Sequence, residues 1–243
     1  MEKKATYWRW AGWLVSITAI VYLGYKLTQY DHYADLAYSL QHAGAVEWCA
    51  LTISALLIPI QLWAEVHRWK WTLRGWKDIS VYDGWRQVLT GSVAGFLTPY
   101  RAGDIPARLV MAGLTIDKDQ LKANGWAWLK DWRKWFPVIV WTIIRYLLWG
   151  VQLWGVLRFA GVELTWIQAI SSIAMYYVII SIMPSLPAAE VVLKGGWAVL
   201  IFGQYTENVA AITLAVSLIW IFNTIMPVLF GSLGKILYFC KQK

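Results

Sequence analysis

Histidine and cysteine are scarce, with three and two respectively in 243 residues. His32, His42 and His67 stand apart, and Cys49 and Cys240 form no CxxC pair. This excludes a legible metal-ligand motif and a disulfide framework, since both need clustered or regularly spaced residues. No metal and no cofactor is expected. Acidic residues are also few, 14 against 22 Lys and Arg. The resulting charge of +8 lies on the flanks of apolar runs, with no room for a separate soluble basic domain. It suits a membrane surface and argues against nucleic acid as a partner.

Charge is missing altogether from four stretches: 10–25, 48–64, 164–189 and 208–234. Hydrophobic residues make up 59% of the chain, against roughly 45–50% in soluble domains. A helix crossing a bilayer needs about 20 mostly apolar residues. The two later runs reach that length outright. The two earlier ones reach it if Arg9, Lys26 and Glu65 extend their charged ends toward water. A soluble helical bundle would need a polar face recurring every three or four residues, and 208–234 has none. The fold class expected is all-α: a polytopic integral membrane protein with about five full spans and two broken or re-entrant elements.

What the chain has in excess is tryptophan, 19 residues. Trp8, Trp48, Trp63, Trp69, Trp132 and Trp135 sit near the ends of apolar runs, where amphipathic rings favour the headgroup layer. Stacking on a sugar is the sharper alternative. The spans expected are about 8–27, 46–67, 135–157, 164–183 and 208–234. The loop 28–46 has Asp31 and Asp35 but no Lys or Arg, whereas VHRWKWTLRGWKD (66–78) is strongly basic. The positive-inside rule then places the N-terminus and the basic loop in the cytoplasm. The expected location is the cell membrane, in a bacterium the inner membrane. No small-residue cleavage site follows the first run, so it is expected to be retained.

Two segments break the pattern. The first, 85–113, contains GSVAGFLTPYRAGDIPARLVMAG. It starts as an amphipathic helix, breaks at Thr98-Pro99 and restarts near Asp104. Its flank at 117–134 is again basic and tryptophan-rich, so the segment is expected to enter the membrane and return. The second, 183–204, is MPSLPAAEVVLKGGWAVLIFGQ. In each, a proline break (Pro99, Pro184) is followed by an acid and then a base four residues later: Asp104 and Arg108, Glu190 and Lys194. Residues i and i+4 share a helix face, and Pro106 and Pro187 suit a first helical turn. Paired broken helices point to the binding site of a transporter built on an inverted repeat. The competing reading is that both are interfacial salt bridges. Arg145 interrupts the span 135–157, either as a substrate contact or as a side chain reaching from a helix end. If the second break is re-entrant like the first, the basic C-terminal tail falls outside. Otherwise 187–204 crosses fully, or Arg145 divides two short segments.

GSVAGFLTPYRAGDIPAR (91–108) resembles the G-x-x-x-G-x-x-x-P-x-R-x-G-E-x-x-R signature of the lysylphosphatidylglycerol synthase transmembrane, or flippase-like (UPF0104), family. The match places Gly91, Gly95, Pro99, Arg101, Gly103 and Arg108, with Asp104 where the family has Glu. The second break is similar to P-x-x-P-G-x-x-G-x-x-E with a following base, with Ala188 and Ala189 where glycine is expected and Lys194 in place of Arg. RYLLWGVQLWGVLRFAGVEL (145–164) is similar to an R-Y-x-x-F-x-x-Q segment of some members. The resemblance covers roughly 10–230 and implies a single flippase-like domain over 1–243, without the aminoacyltransferase domain.

The function expected is translocation of an anionic lipid headgroup, on a phospholipid or a polyprenyl-phosphate-linked sugar, without catalysis. Arg101, Arg108 and Lys194 would contact phosphate, with Arg145 a further candidate. Asp104 and Glu190 would orient the bases or bind an amine or sugar. Thr98 and Tyr100 would add hydroxyls. The partner is a membrane lipid, with a second copy of the chain or a lipid-modifying enzyme as candidate protein partners. Two rivals stay open: a membrane enzyme acting on a phospholipid or polyprenyl phosphate, and a non-transporting accessory subunit.

Overall fold

The computed structural model describes residues 41, 43–98, 101–114, 125, 128, 130–182 and 190–232. The expected first span, Pro99, Tyr100, Pro184, Pro187 and the basic tail lie outside these, as does most of 117–134. Among the described residues every regular element is a helix. In chain order they are α1 (Ala45–Leu73), α2 (Val81–Leu97), α3 (Asp104–Met111), α4 (Trp132–Phe159), α5 (Trp166–Ile182), α6 (Glu190–Phe202) and α7 (Val209–Trp220). A π turn, Ile221–Ile225, follows α7.

Three helices among the described residues are long and apolar enough to cross a membrane: α1, α4 and the stretch Val209–Ser232 that contains α7. The described residues are therefore all-helical and include three candidate spans. α5 is apolar but has only 17 residues. α4 is one uninterrupted helix of 28 residues with Arg145 at its middle. Arg145 therefore neither divides two short segments nor reaches out from a helix end. α6 has 13 residues and is about 20 Å long, short of a hydrocarbon core of about 30 Å.

The chain divides into two compact units, one comprising residues 1–55 and 150–221, the other 56–149 and 222–243. In the first unit, α6 packs against both α5 and α7. Small residues make this close approach possible: Ala198, Ala210, Ala211 and Ala215 are all buried. Tyr176 meets Phe202 at a tilt of 54°, with 5.8 Å between ring centres. The start of α1 and the end of α4 are tied together by polar groups. Gln152, fully buried, donates to the Ser54 carbonyl at 2.8 Å. The Ser54 hydroxyl lies 2.8 Å from the Ala50 carbonyl and 3.2 Å from that of Gln152. Interhelical hydrogen bonds and small residues are what hold helices together where lipid removes the hydrophobic drive.

The second unit is built on the α2–α3 hairpin. Ser80 caps α2 by accepting from the Asp83 amide at 3.0 Å. Pro99 explains where α2 ends, since a residue before proline is driven out of the helical region. Thr98 accordingly sits at φ −116°, ψ 142°. α3 closes on Gly113, at φ +67°, with the Leu114 amide donating back to the Leu109 carbonyl at 3.0 Å. This is a left-handed helix stop that glycine adopts without steric cost. Lys77 adds a cap by donating to the Ala112 carbonyl at 2.7 Å. Val66, Trp69, Leu73, Ile79, Val88 and Ala112 form the core beneath the hairpin.

Gly155 tests the α1–α4 contact. A Cβ there would stand 2.5 Å from the Ser54 hydroxyl and 3.1 Å from the Ala50 carbonyl. Gly155→Val is expected to destabilise the protein by about 1–3 kcal/mol through overpacking. Denaturant unfolding in detergent would measure it, and an unchanged midpoint would show that these helices separate freely.

Candidate functional site

The charges of the first break converge on a residue outside it. Glu65 lies in α1, about two turns from its end, and is only 3% exposed. It does not extend toward water as expected. Arg68, one turn later, donates to both of its oxygens at 2.8 Å. Arg108 donates to Oε1 at 2.6 Å. Arg145, from the middle of α4, reaches Oε2 at 2.8 Å. One carboxylate thus bridges three guanidinium groups carried by three helices.

Asp104 supplies the second acid. Its Oδ1 accepts from Arg108 Nε at 2.6 Å and its Oδ2 from Nη2 at 3.1 Å. This is the i,i+4 pair that the sequence spacing implies. Arg108, 6% exposed, therefore uses all three of its nitrogens on carboxylates. Its guanidinium carbon also lies 5.2 Å from the Trp69 ring centre, and the Trp69 indole donates to Gln87 at 2.7 Å. Trp69 is thus buried beneath the cluster, unlike Trp48, Trp63 and Trp132, which are exposed as an interfacial belt requires. Arg145 rests on Trp149 at 4.3 Å.

The glycines of the break provide the space. A Cβ at Gly91 would collide with Asp104 Oδ1 and stand 2.6 Å from Arg108 Cγ and Nε. Gly91 is thus the floor on which the Asp104–Arg108 pair rests. A Cβ at Gly95 would meet Asp104 Cβ at 3.1 Å and Arg101 Cβ and Nε at 3.6 Å. At Gly103 it would meet the Ala94 carbonyl at 2.8 Å and Thr98 Oγ1 at 2.9 Å. Thr98 itself staples the break: its hydroxyl donates to the Ala94 carbonyl at 2.8 Å and accepts the Gly103 amide at 2.8 Å. The hydroxyl expected to contact substrate is engaged on both sides.

Arg101 is different. It has φ +54°, a left-handed conformation uncommon for a residue with a side chain. Among the described residues its guanidinium makes no ion pair. With Arg101 beside Asp104, four arginines stand against two carboxylates in a chain with few charges to place. A small cavity of about 20 Å³ adjoins the cluster, lined by Gln61, Glu65, Arg145, Trp149 and Asn223 among others. That is room for about one water molecule. Asn223 lies in the π turn, and Pro227, which has no N–H, stands four residues after it. The missing donor breaks the α-helical ladder at the Asn223 carbonyl, and π turns of this kind recur at functional positions.

Glu190 and Lys194 belong to the other compact unit and form their own pair there. Lys194 Nζ donates to Glu190 Oε1 at 2.6 Å, and the Trp220 indole donates to Oε2 at 3.3 Å. Glu190 is buried. Sequence spacing identifies both i,i+4 pairs but misses Glu65 and Arg68. The available signal was an acid at the end of an apolar run, followed three residues later by arginine.

Searches against protein-family models, curated proteins and solved structures match nothing to this chain.

Glu65→Gln removes a shared counter-charge from three arginines. Breaking a buried ion pair by deleting one partner costs about 3–5 kcal/mol. The variant is expected to unfold at a markedly lower temperature than the wild type. A change within error of zero would mean that the three arginines find other partners at no cost.

Proposed function

We propose that the protein binds the phosphate-bearing headgroup of an anionic lipid and carries it between leaflets. The observation that carries this reading is the arginine excess at the α2–α3 break. Buried arginine is costly in a membrane, by about 2.5–3.5 kcal/mol on insertion scales. Glu65 and Asp104 offset Arg108 and its neighbours, but among the described residues they leave Arg101 beside the cluster without an acid of its own. A guanidinium so placed suits a phosphate, which it can bind through two parallel hydrogen bonds. The resemblance of 91–108 to the flippase-like signature supports the same assignment. On this reading the chain has about five spans, lies in the inner membrane of a bacterium with its N-terminus in the cytoplasm, and exchanges Arg108 between its carboxylates and the lipid phosphate. Glu190 and Lys194 serve as the second polar element.

One observation favours a second reading. Arg108 and Arg145 already have carboxylate partners, as they would in a purely structural ion network. An accessory subunit that scaffolds a lipid-modifying enzyme needs no more than that.

Arg101→Asn separates the two. Asparagine tolerates the left-handed backbone, so the substitution removes the charge and spares the fold. Native mass spectrometry of the wild type should find an anionic lipid retained through purification. Loss of one charge-assisted contact is expected to weaken that retention by roughly tenfold or more. Equal retention by both proteins would remove the headgroup site and leave the scaffold.

A further inference from the structure

α1 carries a second group of cations on its other side. At 100° per residue, Glu65 and Arg68 face one way, while His67, Lys70, Trp71 and Arg74 cluster on the opposite face. These four, with Asp78 from the turn that follows, line a pocket of about 250 Å³. The volume is below that of a drug-sized ligand site and suits a headgroup without its chains.

His67 and Trp71 give the pocket an aromatic part to its lining. His67 stacks on Trp141 with ring centres 4.9 Å apart and meets the edge of Trp63 at 4.4 Å. Arg74 lies over Trp71 at 4.2 Å, which holds the guanidinium in place through its attraction to the ring face. Lys70, Arg74 and Asp78 make no ion pair with any described residue, in contrast to the saturated cluster on the other face. Two cations against one acid leave the pocket with one net positive charge.

We propose that this pocket is a separate binding site for a phosphodiester monoanion. Lys70 and Arg74 take the phosphate, and Asp78 accepts a hydroxyl or ammonium group from the remainder of the headgroup. A phosphodiester carries the single negative charge that the pocket balances. A phosphomonoester dianion brings a second charge toward Asp78 and is disfavoured. The ligand is either the headgroup of a bilayer lipid or a free glycerophosphodiester, since both present the same chemistry. The site stands independently of the α2–α3 break, because it shares no residue with it.

Calorimetric titration of the full chain in detergent with two probes tests this: short-chain dihexanoylphosphatidylglycerol and glycerophosphoglycerol, which is its headgroup without chains. The double variant Lys70→Gln/Arg74→Gln is expected to lose about tenfold or more in affinity. Binding of both probes assigns the site to the phosphodiester itself. Binding of the lipid alone assigns it to a headgroup held at the bilayer. Asp78→Asn, on the exposed rim, is expected to tighten inorganic phosphate about tenfold relative to the wild type by removing the repelling charge. The proposal is overturned if the wild type binds neither probe, if the double variant binds as tightly as the wild type, or if Asp78→Asn leaves phosphate affinity unchanged.

Discussion

Glu65 sits almost out of reach of water, accepts hydrogen bonds from Arg68 and Arg108 and forms an ion pair with Arg145, so that it joins three helices. An isolated carboxylate in such a place would be strongly destabilising, and so would each arginine. The arrangement works only because all four charges arrive together. α1 must therefore present Glu65 and Arg68 on one face, α4 must bring Arg145 to the same depth, and α3 must start early enough for Arg108 to reach across. The glycines of α2 and the break after Leu97 are the conditions that let α3 fold back so closely. Gly91 is the clearest case, since even a methyl group there would occupy the place of the Asp104–Arg108 pair.

Local features of this design are legible in the chain. The proline after Thr98 marks the end of α2, and four-residue spacing pairs Asp104 with Arg108 and Glu190 with Lys194. Long uncharged runs disclose the apolar helices. What escapes is tertiary. The Arg108–Glu65 contact joins residues 43 apart in sequence, and no periodicity connects them. Glu65 stands where an apolar run gives way to a basic segment, so composition alone assigns it to the interface. The helix-end alternative for Arg145 fails for a related reason: its partner Glu65 lies on another helix, which the sequence does not disclose. Thr98 is an opposite case, in which a hydroxyl beside charged residues suggests ligand contact but serves the backbone.

The two compact units treat their buried charges differently. One concentrates arginine around a shared carboxylate. Among the described residues the other has one Lys–Glu pair with an indole donor and packs small residues against one another. Tryptophan is divided in the same way. Some rings stand exposed at helix ends, whereas Trp69 and Trp149 lie against guanidinium groups inside the second unit. Aromatic faces attract cations, so these rings help to hold the arginines where water is scarce.

The saturation of Arg108 has a consequence for any ligand that approaches it. Asp104 and Glu65 are tethered competitors, already stripped of water and already aligned. An incoming anion must shed its own hydration and displace a neighbour that cannot diffuse away. Selectivity at such a position is therefore governed by exchange: it favours anions that surrender water easily and span two guanidinium groups at once, and it turns away compact, strongly hydrated ions however highly charged they are.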